Sequence, residues 1–337
     1  MRRQLFFLIV CFVSGLVTSC QKDWIEIDIG SRNEDFDFEE AEYIAIFGDI
    51  QYYTTYTYIN LYQHSVDWLL RKQSEGMSIK CVLHTGDICH QTNASSCWNC
   101  FQSAMAVMSK NIPYYSMIGD HDYMWYDGTH IDGRDDTHFN EYVQFPLSMQ
   151  NVLEQFEEGK MENVVIRNVV QGQRVDLLIL EFGPRQEVVE WANKYVRNHS
   201  NEHFILMTHE YLEKGGGRRT MGLKSAARLQ NTTYTTPEQL WDSLIKCNDN
   251  IRLVLCGHVG GLYALTIDTN NFGHEVPQIQ HNIQSLEYRY DNWLMLWEFP
   301  AESDSANVSI YNTKTEKYYN NQEVLFKFRY RGGEDNI

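Results

Sequence analysis

The amino-acid sequence predicts an α/β fold with a mostly parallel sheet and a β-rich C-terminal part. Short apolar runs alternate with longer runs whose apolar residues recur every three or four positions. This alternation is typical of parallel strands that are connected by helices. The tail after Trp293 instead reads as successive strands separated by turns. The sequence has no Pro/Gly-rich linker, so one large domain over residues 41–337 is the simplest organisation.

The predicted elements follow one another along the chain. Helical spacing places Tyr62, Val66 and Leu69 on one face of the first helix, and Thr236 and Pro237 supply an N-cap and a first helical residue for the last. The predicted strands are YIAIF, KCVLH, YYSMI, VDLLILEF, HFILMT, IRLVLC, WLMLWEF, NVSIYN and VLFKFRY. The predicted helices are LYQHSVDWLLRKQ, CFQSAMAVMSK, QEVVEWANKYVRN and TTPEQLWDSLIK.

Residues 1–19 are predicted to be a targeting segment. MRR is a basic start, and LFFLIVCFVSGLV is an apolar run that is short for a membrane span. VTSC resembles the lipobox of bacterial lipoproteins, in which Cys20 would be lipidated; the alternative is an ordinary secretory signal that ends near a cysteine. We expect an acidic tether over residues 20–40. The expected location is the cell envelope, with a lipid anchor, on the periplasmic or cell-surface side of the outer membrane.

The net charge of the chain argues against one class of partner. The formal net charge is -17, which does not suit a nucleic-acid-binding surface, where contacts with phosphate dominate affinity. We expect a monomer.

Cys81 and Cys256 lie in apolar strand-like runs and are interpreted as core residues. Cys97 and Cys100 in CWNC could close a disulfide in an exported protein.

Metal-ligating side chains follow five of the predicted strands. Each of these strands ends in an Asp or a His, and in four of the five cases a glycine comes just before it. The five residues are Asp49, Asp87, Asp120, His209 and His258. Ligands of open α/β sheets bind at the carboxyl ends of the strands, and an extended backbone points Asp49 and Gln51 in the same direction. Converging carboxylates and imidazoles are ligands for divalent transition metals. The pattern therefore predicts a metal site, which would also relieve the repulsion between clustered carboxylates.

The series GD-x-Q, GD, GDHD, THE and GH, from Asp49 to Gly260, resembles the signature of the calcineurin-like metallophosphoesterases. In that family the pattern runs D-x-H, GD, GNH(D/E), H and GHxH. LEFGPRQEVVEWA and EVPQIQHNIQ further resemble an exported branch of the family. The resemblance implies a β-sandwich of two sheets flanked by helices, with a dinuclear metal site at the strand ends. It also implies hydrolysis of a phosphomonoester or phosphodiester by a hydroxide between two divalent ions, drawn from Mn, Fe, Zn and Mg.

The resemblance also implies a role for each matching residue. Asp87 would bridge the metals, and Asp49 and Gln51 would bind the first metal. His121 would be the general acid, and Asp122 would orient it. The other ligands of the second metal would be Asp120, His209 and His258.

The chain departs from the family pattern at three positions. Gln51 replaces a histidine, Gly260 stands where the second histidine of GHxH would be, and Asp120 replaces the usual asparagine. We therefore expect a weaker first site that favours a hard ion such as Mg, Mn or Fe and is completed by water or by a residue from the 260–261 loop or beyond. Our hypothesis is that the charge of Asp120 offsets the ligands lost at Gln51 and Gly260.

Other candidates are less specific. Arg185, at a predicted strand end, could bind a substrate phosphate or carboxylate or form a structural ion pair. His90 lies near the predicted site, and we interpret it as a surface or packing residue. Tyrosines of QYYTTYTY could contact substrate or only pack. The alternative to an enzyme is a non-catalytic envelope lipoprotein that uses the same scaffold to bind a ligand, with one structural metal.

Overall fold

The computed structural model describes residues 36, 40–90, 95–123, 131, 133–135, 137–220, 225–229 and 232–330. Contacts within the chain define a compact unit over Asp37–Ile337. The predicted signal segment, Cys20 and the tether, except residues 36 and 40, lie outside the described residues. No helix of the described part combines the length and apolar character that a membrane crossing requires.

The described residues form fifteen strands. In chain order they are β1 (Ala41–Phe47), β2 (Ser78–His84), β3 (Tyr114–Ser116), β4 (Val152–Gln155), β5 (Val164–Ile166), β6 (Val169–Val170), β7 (Gln173–Ile179), β8 (His203–Met207), β9 (Ile251–Cys256), β10 (Tyr263–Thr269), β11 (Glu275–His281), β12 (Trp293–Pro300), β13 (Ser305–Asn312), β14 (Lys317–Tyr318) and β15 (Phe326–Arg329). Strands β4, β5, β6, β10, β11 and β14 have no counterpart among the predicted elements.

Six α-helices lie between these strands in the described part. They are α1 (Ile59–Ser74), α2 (Ser95–Asn111), α3 (Phe139–Tyr142), α4 (Pro146–Met149), α5 (Gln186–Asn198) and α6 (Pro237–Leu240). A π-helical turn, Trp241–Ile245, continues α6, and short 3-10 turns cover Asp120–Asp122, Ala226–Arg228 and Tyr319–Asn321. The predicted cap of α6 is present: Thr236 accepts a bond from Gln239 N, and the Gln239 side chain accepts one from Thr236 N.

The strands pair into two sheets. One has the order β14-β13-β12-β1-β2-β3, with β15 also on β13, and the other β10-β11-β9-β8-β7-β5-β4, with β6 on β7. β1, β2 and β3 are parallel to one another, as are β7, β8, β9 and β11. The remaining pairs are antiparallel and outnumber the parallel ones, so the expectation of a mostly parallel sheet is wrong.

Helices cover both sheets. On the first sheet the ring of Tyr62 in α1 packs on Phe47 with centroids 5.1 Å apart, and Phe101 of α2 packs on Tyr114 at 5.7 Å. On the second sheet a buried cluster joins α5 and the α6 segment to β7, β8 and β9. These apolar faces leave the carboxyl ends of the parallel strands as the place where polar side chains converge.

The disulfide is not the Cys97–Cys100 bond that the sequence left open as a possibility. Cys97 pairs with Cys89, and Cys100 is a buried free thiol. Cys97 and Cys100 both belong to α2. Cys89 lies in the segment after β2, and its Cα is 5.7 Å from that of Cys97. The bond therefore ties α2 to the segment that carries Asp87.

We expect Cys89→Ser/Cys97→Ser to lower the free energy of unfolding by about 2–3 kcal/mol, because the disulfide restricts the unfolded chain over a short loop. Urea unfolding with and without reductant measures this change. Cys247→Ser, at a partly exposed free thiol, is the control and should change stability little. An unfolding curve of the wild type that reductant leaves unchanged would contradict the prediction.

Candidate metal centre

The five predicted ligands after the strands meet at one place between the two sheets. Asp49, Asp87 and Asp120 follow β1, β2 and β3 of the first sheet. His209 and His258 follow β8 and β9 of the second. All five side chains are buried. Their donor atoms form two groups that could each hold a cation, Asp120–His209–His258 and Asp49–Asp87–His209; a third group adds His121 to Asp87 and Asp120.

The predicted second site has the tighter geometry. His209 Nε2 lies 3.3 Å from Asp87 Oδ1 and 3.4 Å from Asp120 Oδ1. His258 Nδ1 lies 3.1 Å from the same Asp120 oxygen and 3.3 Å from His209 Nε2. The donor atoms of Asp120, His209 and His258 thus all lie within 4.8 Å of one another, and Asp87 Oδ1 lies beside the His209 imidazole. This donor set suits a divalent transition metal, and the arrangement fits one.

Backbone groups orient these ligands. His209 Nδ1 donates a 2.6 Å bond to the carbonyl oxygen of Thr85, which assigns the tautomer and directs Nε2 to the carboxylates. His258 N donates to Asp49 Oδ2 at 3.0 Å. Asp87 and His258 have φ of 56° and 69°, a left-handed conformation that costs free energy in residues other than glycine. The surrounding structure therefore holds both ligands in conformations that the isolated backbone disfavours.

Two of the glycines that precede the ligands are needed because a carboxylate packs closely against their backbone. A Cβ added at Gly119 would overlap Asp87 Oδ1, and one added at Gly257 would overlap Asp49 Oδ1. Each glycine therefore leaves the space into which the carboxylate of another strand end extends. This packing gives a physical reason for the recurring Gly-Asp and Gly-His pairs of the sequence.

The predicted first site is built differently. Gln51 Nε2 donates to Asp87 Oδ2 at 3.1 Å and to Gln284 Oε1 at 2.9 Å. Gln284 Nε2 donates to Asp49 Oδ2 at 3.1 Å, and the Asn282 amide donates to the same oxygen. Gln284 also donates to the carbonyl of His258. The first site thus combines two carboxylates with amides, two of which, Asn282 and Gln284, are absent from the predicted ligand set.

A sequence signal for these amides exists in retrospect. Asn282 and Gln284 follow β11 with the same spacing of two residues that separates Asp49 from Gln51 after β1. An extended backbone points both side chains of such a pair in one direction. The segment contains no glycine or carboxylate, however, so the pattern of the other strand ends does not include it.

His121 lies beside the cluster, and its orientation differs from the expected one. His121 Nδ1 donates to the carbonyl oxygen of His90 at 3.0 Å, and the two imidazoles stack with centroids 4.9 Å apart. The backbone N of His121 donates to Asp87 Oδ1 at 3.0 Å. His90, interpreted from sequence as a surface or packing residue, therefore orients the predicted general acid.

Asp122 does not bond to the His121 imidazole, which corrects the expected orienting role. Its carboxylate accepts bonds from Gly119 N at 2.9 Å and from Cys89 N at 3.0 Å. Asp122 thus fixes the turn around His121 and the segment that presents the His90 carbonyl. Asp122 therefore positions the backbone around His121, and its charge also contributes to the raised pKa of His121.

The electrostatics of the centre follow from burial and close charges. Burial raises the pKa of Asp49 to about 7. Burial alone would lower the pKa of His209, but the charges of Asp87 and Asp49 outweigh it and raise the pKa well above its usual value. For Asp120, His258 and His209 outweigh burial and hold the pKa well below its usual range. These shifts show that the clustered carboxylates need nearby positive charge, which a divalent cation would supply.

The pKa of His121 is raised for a related reason. Burial lowers it, but Asp87, Asp120 and the bond to the His90 carbonyl have the larger combined effect. The neighbouring carboxylate of Asp122 has its pKa raised to about 7, with burial as the main cause. The charges around His121 favour its protonated form, the form that a general acid requires.

Two arginines have different surroundings. Arg185 lies in the structural ion pair that the sequence left open as its alternative role, with Nε 2.9 Å from Glu181 Oε1 and Nη2 3.5 Å from Glu157 Oε2. Arg228, which the sequence did not single out, has Nη1 3.7 Å from Asp120 Oδ2. Arg228 comes from the 3-10 turn Ala226–Arg228 and places a cationic side chain at the second site.

Tyrosines of the QYYTTYTY segment divide between the core and the site. Tyr53 is buried, and its hydroxyl accepts a bond from Asn292 N. Tyr52 lies against His90 with ring centroids 5.0 Å apart, and the guanidinium of Arg289 lies 3.4 Å from the Tyr52 ring centroid. A row of planar groups therefore extends from His121 through His90 and Tyr52 to Arg289.

Comparison with known proteins agrees with this geometry. The sequence model of the family described as Calcineurin-like phosphoesterase matches residues 43–261. The uncharacterized protein YvnB of Bacillus subtilis is 26% identical over 284 residues, which cover 80% of this chain and 20% of YvnB. The protein named probable inactive purple acid phosphatase 9 of Arabidopsis thaliana is 34% identical over 116 residues, 32% of this chain and 17% of that protein. The chain thus spans about a fifth of the length of these relatives.

A solved structure shares the fold. The purple acid phosphatase PPD1 from yellow lupin seeds superimposes with a TM-score of 0.50 at 13% identity, covering 83% of this chain and 53% of that one. The two sheets flanked by helices, with β12–β15 as the β-rich C-terminal part, match the predicted fold, which is confirmed.

We expect His209→Ala to lower the affinity for Zn²⁺ or Mn²⁺ by at least ~10-fold, since loss of even an outer-shell partner of a metal ligand has such an effect. Isothermal titration calorimetry of the full chain measures the affinity. His199→Ala, which removes an imidazole stacked on Tyr195 on α5, is the matched control and should bind like the wild type. Equal affinities for His209→Ala and the wild type would contradict the assignment of His209 as a ligand.

We expect Gly119→Ala to destabilise the fold by about 1–3 kcal/mol and to weaken metal binding, because the new methyl group forces Asp87 aside. Thermal unfolding with and without added Mn²⁺ measures both effects. The control is Gly133→Ala, where an added Cβ meets no atom within 4 Å. If both variants show the same metal-induced stabilisation as the wild type, the close packing of Gly119 on Asp87 is not required.

Proposed function

The chain belongs to the calcineurin-like phosphoesterase family, and from this premise we propose that it is a metal-dependent hydrolase of phosphomonoesters or phosphodiesters. The observation that carries the proposal is the convergence of Asp87, Asp120, His209 and His258 within 3.1–3.4 Å contacts at the buried strand ends. His121 lies next to this cluster, where a leaving group could receive a proton.

The proposed metal ligands fall into two sets that share Asp87. Asp120, His209 and His258 would complete one position, and Asp49 and Gln51 would contribute to the other. Divalent ions at such a centre supply Lewis-acid polarisation of the phosphoryl group and lower the pKa of a water that they hold. The chain's own contribution is to fix these side chains before substrate arrives, through the Thr85 carbonyl, the Asp49 carboxylate and the glycines at the strand ends.

His121 is the proposed general acid. Its Nδ1 proton is directed to the His90 carbonyl, so Nε2 is the nitrogen that would transfer a proton to the leaving oxygen. Asp87 and Asp120 favour the protonated imidazole. After the P–O bond to the leaving group breaks, this proton completes the alcohol product and neutral His121 remains.

Arg228 is a stronger candidate than Arg185 for binding a phosphate oxygen. Both guanidinium groups contact carboxylates, but Arg228 does so at Asp120, which is a proposed metal ligand. A guanidinium can bind two oxygens of a phosphoryl group in a fork-like arrangement. A contact between Arg228 and a substrate phosphate is therefore part of the proposal.

The envelope location is part of the proposal as well. Its support is the basic start, the apolar run and the VTSC sequence, in which Cys20 would carry the lipid. In that setting the Cys89–Cys97 disulfide is chemically expected, because disulfides persist in oxidising compartments.

We expect His121→Ala to lower kcat for phenyl phosphate by ~10²–10⁴-fold, the range for loss of a general acid. The loss should be smaller for p-nitrophenyl phosphate or its bis-ester, because nitrophenolate leaves without protonation. Steady-state kinetics in the presence of Mn²⁺ measure both values. His138→Ala, which removes an exposed imidazole paired with Glu141, is the control and should retain activity.

Two outcomes would count against the proposal. An equal loss for both leaving groups would remove His121 as the general acid and leave hydrolysis itself intact. A wild-type chain that binds one metal ion and hydrolyses no phosphoester of a broad panel would instead be a ligand-binding lipoprotein on the same scaffold. The replacement of two family histidines, by Gln51 and by Gly260, is the observation that favours this second function.

A further inference from the structure

We propose that the first cation position is completed by the amide oxygens of Gln51 and Gln284, and that it takes a hard divalent cation, Mg²⁺ or Mn²⁺, in preference to Zn²⁺. The inference rests on the proposed function only in that both use the same centre. It adds Gln284, which lies outside the matched segment 43–261, as a metal ligand and assigns different ions to the two positions.

Gln51 supplies the first observation. Its side chain is fully buried, and its oxygen, Oε1, has no hydrogen-bond partner among the described residues. A buried carbonyl oxygen without a partner costs free energy unless another group satisfies it. The amide nitrogen of the same side chain contacts Asp87 Oδ2 at 3.1 Å, so the whole amide lies at the proposed cation position.

Gln284 supplies the second observation. Its amide reaches Asp49 Oδ2 at 3.1 Å and contacts the Gln51 amide at 2.9 Å. The nitrogen and oxygen of an amide have nearly the same size, and the hydrogen-bond network decides which end points where. A half-turn of the Gln51 amide alone places its oxygen beside Asp87 Oδ2 and Gln284 Oε1, while the Gln284 nitrogen keeps its bonds to Asp49 Oδ2 and to the His258 carbonyl. Both amide oxygens can then face a cation held by Asp49 and Asp87 without a movement of either backbone.

Gly260 lies beside the turn that carries Gln284. A Cβ added at Gly260 would make an ordinary van der Waals contact with Ser285 Cβ, at 3.7 Å, among the described residues. The buried Ser285 Oγ has no hydrogen-bond partner among the described residues. The residue that we propose as a ligand therefore comes from a turn that neighbours the position of the missing histidine.

The two donor sets predict different ion preferences. Apart from the His209 imidazole, which both positions share, the first position offers oxygens from Asp49, Asp87, Gln51 and Gln284. Hard ions such as Mg²⁺ and Mn²⁺ prefer oxygen ligands. The second position offers the imidazoles of His209 and His258, which suit Zn²⁺ and Fe²⁺. The geometry therefore points to a centre that binds two different ions.

The test is metal binding by the full chain, measured by isothermal titration calorimetry and by metal content after dialysis against Mn²⁺, Zn²⁺ or both. We expect one Zn²⁺ to bind tightly and one Mn²⁺ to fill the remaining position. Gln284→Ala should weaken that Mn²⁺ by at least ~10-fold and leave the Zn²⁺ affinity unchanged. Gln284→Glu should strengthen Mn²⁺ binding, because it replaces an amide oxygen by a charged carboxylate oxygen.

Opposite effects of the two substitutions on Mn²⁺ affinity would identify Gln284 as a ligand. If Gln284 were merely structural, both variants would be less stable than the wild type. Gln51→His/Gly260→His should raise the number of tightly bound Zn²⁺ ions from one to two. Gln186→Ala, whose amide contacts only Glu190 on α5 among the bonds described, is the matched control and should bind both ions normally. Thermal unfolding confirms that each variant is folded.

Two tightly bound Zn²⁺ ions in the wild type, or unchanged Mn²⁺ affinity in a folded Gln284→Ala variant, would overturn the inference. Neither readout requires turnover. A chain that shows the expected ion preference and hydrolyses no phosphoester would reject the proposed function and leave this inference standing. A chain that hydrolyses phosphoesters with two Zn²⁺ ions would do the reverse.

Discussion

Repulsion among three buried carboxylates is the constraint on which the site depends. Asp49, Asp87 and Asp120 end neighbouring parallel strands, and the glycines beside them bring the carboxylates closer than other residues would permit. The fold therefore concentrates negative charge where solvent cannot screen it, and nearby positive charge must compensate. Imidazoles of His209 and His258 supply part of this charge, and the proposed cations supply the rest. The left-handed backbone at Asp87 and His258 is a further cost that the surrounding structure has to offset.

The same groups connect the two sheets. The carboxylates come from one sheet and the imidazoles from the other, and His258 N donates to Asp49 Oδ2 while His209 Nδ1 donates to the Thr85 carbonyl. Changes at the centre therefore act on sheet packing as well as on metal binding. This coupling is why stability and metal affinity must be measured together for any variant of these residues.

The sequence predicts the ligands that follow an apolar strand as an Asp or a His. It misses the site residues that lack this pattern. Asp49, Asp87, Asp120, His209 and His258 are recognisable because apolar strands and glycines mark them, and the structure brings them together. Gln284 and Arg228 lie in segments without such marks, and only the tertiary fold brings them to the site. The same limit applies to Cys89, because pairing between a loop and a helix depends on a distance that sequence spacing does not report.

Asp120 shows how the site distributes charge. Sequence alone suggested that its carboxylate offsets the ligands lost at positions 51 and 260. In the structure Oδ1 contacts both imidazoles, whereas Oδ2 lies 3.7 Å from Arg228 Nη1. The second oxygen is thus shared with a guanidinium, so only part of the extra charge reaches the cation position. An asparagine at position 120 would leave Arg228 without this counter-charge. Asp120 therefore both binds the proposed second metal and holds Arg228 beside it, and the deficit of the first site is met by Gln284.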